Sequence, residues 1–511
     1  MKYFFCVKNK QFTQALATLK PNIRYMTAKH RWYAARLGLY RTVLECQSWL
    51  PVKTPRYTLV STIANIKRQN LTDDVAKIHI EHILYSKCYR QFQNEIIKEI
   101  ISLYPEVIFS FLKVQKESLG TLGSSYYQGL YIALLQHYYP RDTNTYDYLS
   151  DFLSYQTDAE YTDKRCLYNN IALHMPLAKL ANLNQIFTHH QLSNIQLSDE
   201  QQQLTVTNLR AVEELNNKRK SQSYSQLHKV TVIVTTYNAS KTIESCIYSL
   251  LQQTWRNLEI VVVDDASSDD TLLHLQRLND QNTVIKVISL PKNIGTFAAK
   301  SIGAQYATGE FLTCQDSDDW AHPQKIAEQV QPLIEDDSII ATTSYWVRLD
   351  HEGQYYSRQL YPFMRQNPAS PMFRLQTVKQ KMGLWHIVRT GADSEFFERL
   401  KLVFGSEKVI VIKKPLTIAS HRPNSLMTSE KFGIYSRTAA LSRLDYWEAW
   451  RLWYIDTLYQ KSCLIMPSIQ QQADATQTLF AGIPDSIKVD MLRLRESLAT
   501  HKILNKSLIE L

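Results

Sequence analysis

The stretch VTVIVTTYN (residues 230–238), followed by the stretch LEIVVVDDASSDD (residues 258–270), decides the fold of this 511-residue chain. Each stretch begins with apolar and β-branched residues and ends in polar ones. A third apolar run, VIKVI, follows at residues 284–288, and apolar residues recur at helical spacing across residues 240–253. Continuous apolar strands that alternate with helices are typical of a parallel sheet covered on both faces. The sequence therefore predicts an α/β fold with a mostly parallel sheet.

Polar residues follow three of the predicted strands at the point where each strand ends. The first strand leads into TTYN at residues 235–238, and the second leads into DDASSD at residues 264–269. A later apolar stretch, FLTC, leads into QDSDD at residues 315–319. Ligands of α/β proteins bind beyond the carboxyl ends of parallel strands. We therefore expect these hydroxyl and carboxylate groups to line one binding site.

The segment DSDD at residues 316–319 concentrates three carboxylates. Neighbouring carboxylates repel one another, and their full ionisation inside a cleft requires a compensating positive charge. Mg²⁺ or Mn²⁺ would supply that charge, because both ions prefer oxygen ligands, and would stabilise a diphosphate leaving group. The same residues could instead form an acidic loop that caps the helix predicted at residues 323–331. Both interpretations stay open at this point.

Three longer segments resemble family-two glycosyltransferases of the GT-A fold. They are KVTVIVTTYNASKTIESCIYSLLQQTW (residues 229–255), EIVVVDDASSDDT (residues 259–271) and KNIGTFAAKSIGAQYATGEFLTCQDSDDWAHPQKI (residues 292–326). The resemblance is of the bacterial surface-polysaccharide type and covers about residues 229–430. It implies an inverting glycosyltransferase that moves a sugar from a nucleoside-diphosphate sugar, here UDP-linked, to a glycan or glycolipid acceptor by metal-assisted direct displacement.

The resemblance implies a set of nucleotide-binding residues. Thr235 and Tyr237 stand where the family contacts the nucleotide base, and Asp265 stands where the family binds the edge of that base. Asp264 is its neighbour and supports either the nucleotide or the loop. Lys300 falls where the family often has an arginine near the nucleotide. A lysine there keeps the positive charge but lacks the forked guanidinium group.

The resemblance also implies a site for a metal ion and a diphosphate. Asp316 and Asp318 correspond to the family's DxD pair, with Asp318 as a direct metal ligand and Asp316 as a partner of the metal or the ribose. His421 falls where GT-A enzymes often have a late histidine that completes this site, and imidazole suits Mn²⁺. A lone histidine is as often a structural residue, so both roles stay open. Arg422 is expected to pair with diphosphate oxygens.

The segment GADSEFFER at residues 391–399 is similar to the family's acidic motif before a helix. The resemblance makes Asp393 the general base that takes the proton of the attacking hydroxyl, and it adds Glu395 to the catalytic set. Both are also typical first-turn acids, because negative charge is favourable at a helix N-terminus. Trp385, just upstream, could stack on an acceptor sugar or belong to the core.

Helical patterns flank the predicted sheet. The segment 73–104 carries apolar residues at a spacing of four behind Thr72, which predicts one long helix with a buried stripe. We predict a helical N-terminal region at residues 1–215, a polar linker at 216–228, the GT-A domain at 229–431 and a helical C-terminal extension at 432–511.

Composition restricts the partners and the compartment. The formal net charge of +10 suits anionic partners and is compatible with peripheral contact at an anionic membrane surface. No nucleic-acid-binding module is recognisable in the sequence, so nucleic acid is not an expected partner. The seven cysteines form no CxxC pair and are odd in number, which favours a reducing compartment. The sequence contains neither a signal-peptide pattern nor an apolar run of ~18 residues, so we expect a cytoplasmic location.

Two other functions are compatible with parts of the sequence. A nucleotidyltransferase would also bind a nucleotide and a metal ion in an α/β fold, but its Gly-rich basic signature near the N-terminus is missing from this sequence. A non-catalytic helical scaffold with a degenerate transferase domain is the second alternative, and the intact DxD pair and Asp393 speak against it. The pathway that the resemblance implies is bacterial capsule or lipopolysaccharide synthesis.

Overall fold

The computed structural model describes residues 34–35, 37–45, 55–119, 122, 124–140, 144–154, 160–212, 227–423, 425–426, 428–430, 432–433, 436–476 and 478–504. Most of the predicted linker at residues 216–228 lies outside the described residues, as do Cys6 and Cys46. The other five cysteines are free thiols.

The chain divides into two compact units. The first unit comprises residues 1–174, 355–363 and 447–462, and the second comprises residues 175–354, 364–446 and 463–511. Compact packing alone does not establish that a segment folds by itself. The four-part domain organisation therefore stays a prediction.

The described part of the first unit is largely helical, as predicted. At the N-terminus of one of its helices, the Ser124 hydroxyl accepts a hydrogen bond from the N–H of Tyr127 at 3.3 Å. Such a cap satisfies a backbone donor that has no partner inside the helix. The helices are α1 (Tyr40–Glu45), α2 (Pro55–Lys67), α3 (Asp73–Tyr85), α4 (Gln93–Ile100), α5 (Pro105–Leu119), α6 (Ser125–Tyr138), α7 (Asn144–Ser154) and α8 (Tyr161–Ala172).

The prediction of one long helix over residues 73–104 is wrong, because the structure has two helices there. α3 ends at Tyr85, Ser86 has an extended backbone, and a 3-10 turn at Lys87–Phe92 leads into α4. Residues four apart advance about 40° around a helix, so a stripe with this spacing turns through about 200° in five steps. The break at residues 86–92 lets the second helix begin with a different orientation of its apolar residues. The apolar residues of both helices are consequently buried, namely Ile80, Leu84, Ile96 and Ile100.

One large sheet forms the centre of the second unit. Its strands follow the order β13-β5-β4-β3-β6-β11-β8-β12-β7, and β10 pairs with β8; β1 and β2 form a separate hairpin-like pair. The strands of the chain are β1 (Ile195–Leu197), β2 (Leu209–Ala211), β3 (Val230–Thr236), β4 (Leu258–Asp264), β5 (Ile285–Ser289), β6 (Phe311–Asp316), β7 (Trp320–Ala321), β8 (Ala341–Leu349), β9 (Tyr355–Tyr356), β10 (Arg365–Gln366), β11 (Met372–Arg374), β12 (Val409–Ser420) and β13 (Lys502–Ile503).

The strands that the sequence predicts are parallel neighbours. β5, β4, β3 and β6 all run in the same direction, whereas β11 runs antiparallel to both β6 and β8. All seven residues of β3 are buried. This arrangement confirms the predicted fold class, which is a mostly parallel mixed sheet of the GT-A kind flanked by helical regions.

Helices cover both faces of the parallel strands, which explains why those strands are apolar throughout. On one face, Val232 and Val262 belong to the same cluster as Ile247 of the helix after β3; on the other, Val261 and Ile302 share a second cluster. The α-helices from residue 176 onward, some of which cover these faces, are α9 (Pro176–His189), α10 (Ile243–Leu251), α11 (Thr271–Gln281), α12 (Thr296–Gly303), α13 (Lys325–Glu335), α14 (Leu375–Met382), α15 (Ala392–Phe404), α16 (Arg437–Tyr459), α17 (Ile469–Asp474) and α18 (Met491–Thr500). Within the residues that the structure covers, no helix is long and apolar enough to cross a membrane.

The C-terminal segment is part of the core around the sheet. Ile469 and Ala473 of α17, Val489, and Leu494 of α18 are buried in the cluster that contains Val261 of β4. The predicted helical character of this segment is thus confirmed. Its apolar residues are explained by the second face of the sheet, which they help to cover.

A buried ion pair fixes α15 to the turn that precedes it. Glu395 and Arg399 are fully buried, and two hydrogen bonds of 2.6 and 3.0 Å join their side chains. Arg399 also donates to the carbonyl oxygen of Met382 and, at 2.6 Å, to that of Leu384. Removal of one charge from such a pair leaves the other uncompensated in the protein interior.

We expect the substitution Arg399→Met to lower the free energy of unfolding by about 3–5 kcal/mol, because Glu395 would stay buried without its partner. The double variant Glu395→Leu/Arg399→Met should recover much of this loss, since neither apolar side chain needs charge compensation. Urea denaturation followed by circular dichroism measures both values. An equal loss in the single and double variants would contradict the role given to the ion pair.

Candidate active site

The register of the parallel strands brings three polar strand ends together. Thr235 of β3 lies opposite Asp316 of β6, and Thr236 of β3 lies opposite Asp264 of β4. Neighbouring strands are about 4.8 Å apart, so these groups form a continuous row. We call the row from Asp264 to Asp316 the carboxyl edge.

Asp264 supports the loop that follows β4. Its carboxylate accepts hydrogen bonds from the N–H and the hydroxyl of Ser267, at 3.2 and 2.5 Å. Asp264 is 1% exposed, and burial raises its pKa although the bonds from Ser267 lower it. Of the two roles open to Asp264, these contacts favour support of the loop.

Asp265 ties a second loop, residues 293–295, to the carboxyl edge. Its two carboxylate oxygens accept the backbone N–H groups of Ile294 and Gly295, each at 2.7 Å. Burial raises the pKa of Asp265 to about 7, although these two bonds lower it. Asp265 therefore acts on the shape of the 293–295 loop, and its predicted contact with a nucleotide base stays a prediction.

Tyr237 and Thr235 offer contacts beside this loop. Tyr237 follows β3 directly and is 50% exposed. The Thr235 hydroxyl lies 2.6 Å from the hydroxyl of Thr296, the residue after the 293–295 loop. An exposed aromatic ring next to hydroxyl groups can stack on a flat heteroaromatic ring while its neighbours form hydrogen bonds.

Asp316, Asp318 and Asp319 lie close together at the carboxyl end of β6. The side chains of Asp316 and Asp318 are 39% and 20% exposed, whereas Asp319 is buried and accepts the N–H of Ser420 at 3.0 Å. Burial raises the pKa of both Asp318 and Asp319, and repulsion among the three carboxylates raises it further. Arg422 opposes this effect at Asp318, to which its Nε donates at 2.9 Å. Asp316 and Asp318 are thus the carboxylates open to a ligand.

Two buried lysines compensate the negative charge of these aspartates. The Lys300 Nζ lies 3.6 Å from Asp316, and Lys325 Nζ donates to the Gln315 side chain at 2.5 Å. Burial lowers the pKa of Lys325 to about 8, although Asp319 and Asp316 raise it. At Lys300, burial lowers the pKa, but the attractions of Asp316, Cys314 and Asp393 together outweigh burial, and the pKa is raised. The structure therefore places two buried cations close to the acidic residues 316–319.

Asp393 approaches the carboxyl edge from α15. It lies in the first turn of that helix, is partly exposed, and accepts the N–H of Ser394 at 2.8 Å. Both Asp393 and Asp316 attract the positive charge of Lys300. Lys300 therefore contacts Asp316 at 3.6 Å and lies within electrostatic range of Asp393. Glu395, by contrast, is fully buried with its carboxylate bonded to Arg399.

His421 lies immediately after β12, where its N–H donates to the carbonyl oxygen of Leu349 at 2.7 Å. Burial, and then the positive charge of Arg348, lower the pKa of His421 and so favour its neutral imidazole. Among the described residues, no three His, Cys, Asp or Glu side chains are grouped to hold a metal ion. The role of His421 as a third metal ligand therefore stays a prediction.

Sequence reasoning missed two cations that contact this region. Lys325 lies in the first turn of α13, and Arg389 donates to the carbonyl oxygen of Asn293 at 3.0 Å. Lys325 lies in the segment 292–326 that resembles the family, but the resemblance implies no role for it, and Arg389 lies outside the resembling segments. Only the folded chain brings the two cations to the acidic residues. Trp385 is 4% exposed and packs against Phe396 at 5.4 Å between ring centres, so it belongs to the core.

Residues 231–393 match the family model for Glycosyl transferase family 2. An uncharacterized glycosyltransferase of Haemophilus influenzae is 40% identical over 116 residues, which are 23% of this chain and 36% of that protein. The Escherichia coli protein UDP-Glc:alpha-D-GlcNAc-diphosphoundecaprenol beta-1,3-glucosyltransferase WfaP is 28% identical over 123 residues, which are 24% of this chain and 47% of that protein. Among solved structures, Staphylococcus aureus TarS 1-349 in complex with UDP-GlcNAc matches at 19% identity with a TM-score of 0.34, over 49% of this chain and 76% of that chain.

The chain covers less than half the length of either curated relative. The family model covers the three strand ends and reaches Asp393, while His421 and Arg422 lie beyond it. What the relatives bind and act on is therefore carried over only as a proposal.

We expect Lys325→Met to lower the free energy of unfolding by about 1–3 kcal/mol, because the buried Gln315 oxygen loses its donor and Asp319 loses a nearby cation. Adding Asp319→Asn should restore part of that loss, since it removes the charge that Lys325 compensates. Chemical denaturation at pH 7 measures each variant. Lys381→Met, at an exposed lysine of α14, is the matched control; equal losses for Lys325→Met and this control would contradict the assignment.

Proposed function

We propose, from the glycosyl transferase family 2 domain that residues 231–393 form, that this chain is an inverting glycosyltransferase. It would move a sugar from a UDP-sugar to a glycan or glycolipid acceptor. The observation that carries the proposal is that the buried Lys300 lies 3.6 Å from Asp316 and is also within electrostatic range of Asp393. A carboxylate suited to the donor diphosphate and a carboxylate suited to take a proton from the acceptor thus act on the same buried cation.

The nucleotide of the donor would occupy the carboxyl edge. Tyr237 stacks on the base, Thr235 contacts the nucleoside, and Asp265 shapes the adjoining 293–295 loop. Lys300 adds a positive charge between this part of the site and the diphosphate. The name of the E. coli relative includes UDP-Glc, which supports a UDP-linked donor for this chain as well.

Asp316 and Asp318 fit a divalent cation such as Mg²⁺ or Mn²⁺. Their carboxylates are crowded and partly exposed, and they offer the oxygen ligands that these ions prefer. Mg²⁺ is commonly held by one or two carboxylates together with water and substrate phosphates, so this pair is sufficient. When bound, the ion would neutralise charge on the diphosphate. His421 and Arg422 would complete this side of the site, with Arg422 pairing with diphosphate oxygens.

Transfer would proceed by direct displacement at the anomeric carbon of the sugar. The acceptor hydroxyl oxygen forms a bond to this carbon while the bond to the diphosphate oxygen breaks, and UDP leaves with the electron pair. Asp393 takes the proton of the hydroxyl. Attack opposite the leaving group inverts the configuration of the carbon. Glu395 acts indirectly, because its bond to Arg399 holds α15 in place.

The acceptor we propose is a bacterial surface glycan, in capsule or lipopolysaccharide synthesis. The E. coli relative is named for a sugar linked to diphosphoundecaprenol, which supports an acceptor of this general class. The net charge of +10 is compatible with peripheral contact at an anionic membrane surface. The proposed location is therefore the cytoplasm, with access to lipid-linked acceptors.

Asp393→Asn should lower turnover by about 10²–10⁴-fold, because the amide cannot take the acceptor proton, while the affinity for UDP stays at the wild-type value. Asp318→Asn should instead weaken the binding of UDP in the presence of Mn²⁺. Turnover is measured as UDP released from UDP-sugars in the presence of lipid-linked oligosaccharides, and affinity by calorimetry. Asp474→Asn, at an exposed aspartate of α17, is the matched control for both.

Titration of the wild-type chain with UDP, GDP and CDP, with and without Mn²⁺, separates the alternative functions. Metal-dependent preference for UDP supports the proposal. A folded chain that binds none of the three would favour the scaffold alternative. Release of pyrophosphate from a nucleoside triphosphate would favour the nucleotidyltransferase, and wild-type turnover by Asp393→Asn would exclude this residue as the base.

A further inference from the structure

Arg389 and Asp265 both hold the 293–295 loop. Its guanidinium donates to both the side-chain oxygen and, at 3.0 Å, the main-chain oxygen of Asn293. Asp265 binds the next two residues of the same loop through their N–H groups. Three successive residues are therefore fixed between a buried carboxylate and a guanidinium group, and the two opposite charges also attract each other.

Gly295 permits the close approach of Arg389. Its φ of +90° is a conformation that L side chains rarely adopt. A Cβ atom added there would lie 3.1 Å from Cδ of Arg389. The loop is thus shaped both by its backbone conformation and by the arginine stem that packs on it.

The C-terminal segment sets the position of Arg389 in turn. The N–H of Arg389 donates to the carbonyl oxygen of Ile487 at 2.8 Å, and Val388 forms a β-bridge with Lys488. Two residues before Arg389, the N–H of Ile387 donates to the Gln472 side chain at 2.9 Å. The segment that carries Arg389 is consequently held by residues more than 80 positions later in the sequence.

We propose that Arg389 is a positioning residue that holds the 293–295 loop in the shape required to bind the nucleobase of the donor. The inference rests on the proposed function, since it presupposes a nucleotide at the carboxyl edge. Arg389 acts through the loop and through Asp265, and it does not take part in the transfer step. Tyr237, which follows β3 and is exposed, marks the surface on which the base lies.

The position of the loop in the sheet favours the base over the diphosphate. Asp265 follows β4, whereas Asp316 ends β6, and β3 lies between these two strands. Two strand spacings separate the ends by about 10 Å. A ribose spans such a gap between base and diphosphate. Loss of Arg389 should therefore weaken the binding of a nucleoside as much as that of a nucleoside diphosphate.

The test compares the binding of uridine and UDP to wild-type and variant chains by calorimetry. Arg389→Met should weaken both ligands by the same factor, roughly five- to tenfold, because hydrogen bonds of a charged donor to the loop are lost. Arg389→Lys should also weaken both, since lysine keeps the charge but not the fork that binds two oxygens. The turnover rate at saturating donor should stay at the wild-type value, with the effect confined to KM.

Two further variants make the comparison specific. Arg422→Met, at the proposed diphosphate side, should weaken UDP and leave uridine unchanged. Arg256→Met is the matched control, because Arg256 is exposed at the opposite, amino end of β4. Asn293→Ala removes the side-chain acceptor of Arg389 and the bond from Asn293 to the Asp265 carbonyl oxygen, and it decides the matter if Arg389→Met does not fold. It should weaken uridine and UDP by the same factor, and wild-type affinity for both would overturn the inference. Where Arg389→Met folds, the effects of the two substitutions should not be additive.

Wild-type affinity of Arg389→Met for both ligands would overturn this inference while leaving the proposed function intact. So would a loss confined to UDP, because it would indicate a direct phosphate contact. If the wild-type chain binds neither uridine nor UDP, the proposed function fails and the inference fails with it.

Discussion

Negative charge concentrated at the end of an apolar sheet is the constraint on which the rest of the site depends. The parallel strands are buried on both faces, so their polar ends must meet at one edge, where Asp316, Asp318 and Asp319 lie close together. Such a cluster is stable only when cations lie nearby. Lys300 of α12 and Lys325 of α13 supply this positive charge, and each lysine is almost fully buried. The helices α12 and α13 therefore serve the chemistry of the edge as well as its packing.

The site is closed by residues that lie far from it in the sequence. α17 and α18 cover the second face of the sheet, and the same segment holds the backbone of Arg389. Arg389 then donates to the same loop whose backbone N–H groups bind the Asp265 carboxylate. Burial of apolar surface and the geometry of the nucleotide edge are thus coupled, because one C-terminal segment contributes to both. A substitution in the core at Val489 or Leu494 would consequently act on the edge through Arg389.

Strand periodicity and strand ends could be predicted from the sequence because they depend on local patterns. The β-branched runs at residues 230–236 and 258–264 form β3 and β4, and the register places their polar ends as expected. What could not be predicted depends on long-range contact. The apolar residues recur every four positions, whereas an α-helix has 3.6 residues per turn, so one uninterrupted helix would turn some of them away from the core. The break at Ser86 avoids this exposure, and its benefit depends on the packed core. Neither the family resemblance nor a local pattern implies a role for Lys325 or Arg389, since their function is defined by neighbours that folding supplies.

Asp393 and Glu395 illustrate how helix geometry separates residues that a motif joins. They lie two positions apart on α15, and two residues span about 200° of a helix, so their side chains leave on nearly opposite sides. One side of α15 faces the interior, where Arg399 donates a hydrogen bond to Glu395. The other side carries Asp393, which is partly exposed and raises the pKa of Lys300. A single acidic segment can therefore supply one carboxylate to the structure and one to the chemistry. The buried pair fixes the helix, and the fixed helix holds the proposed base where an acceptor hydroxyl can reach it.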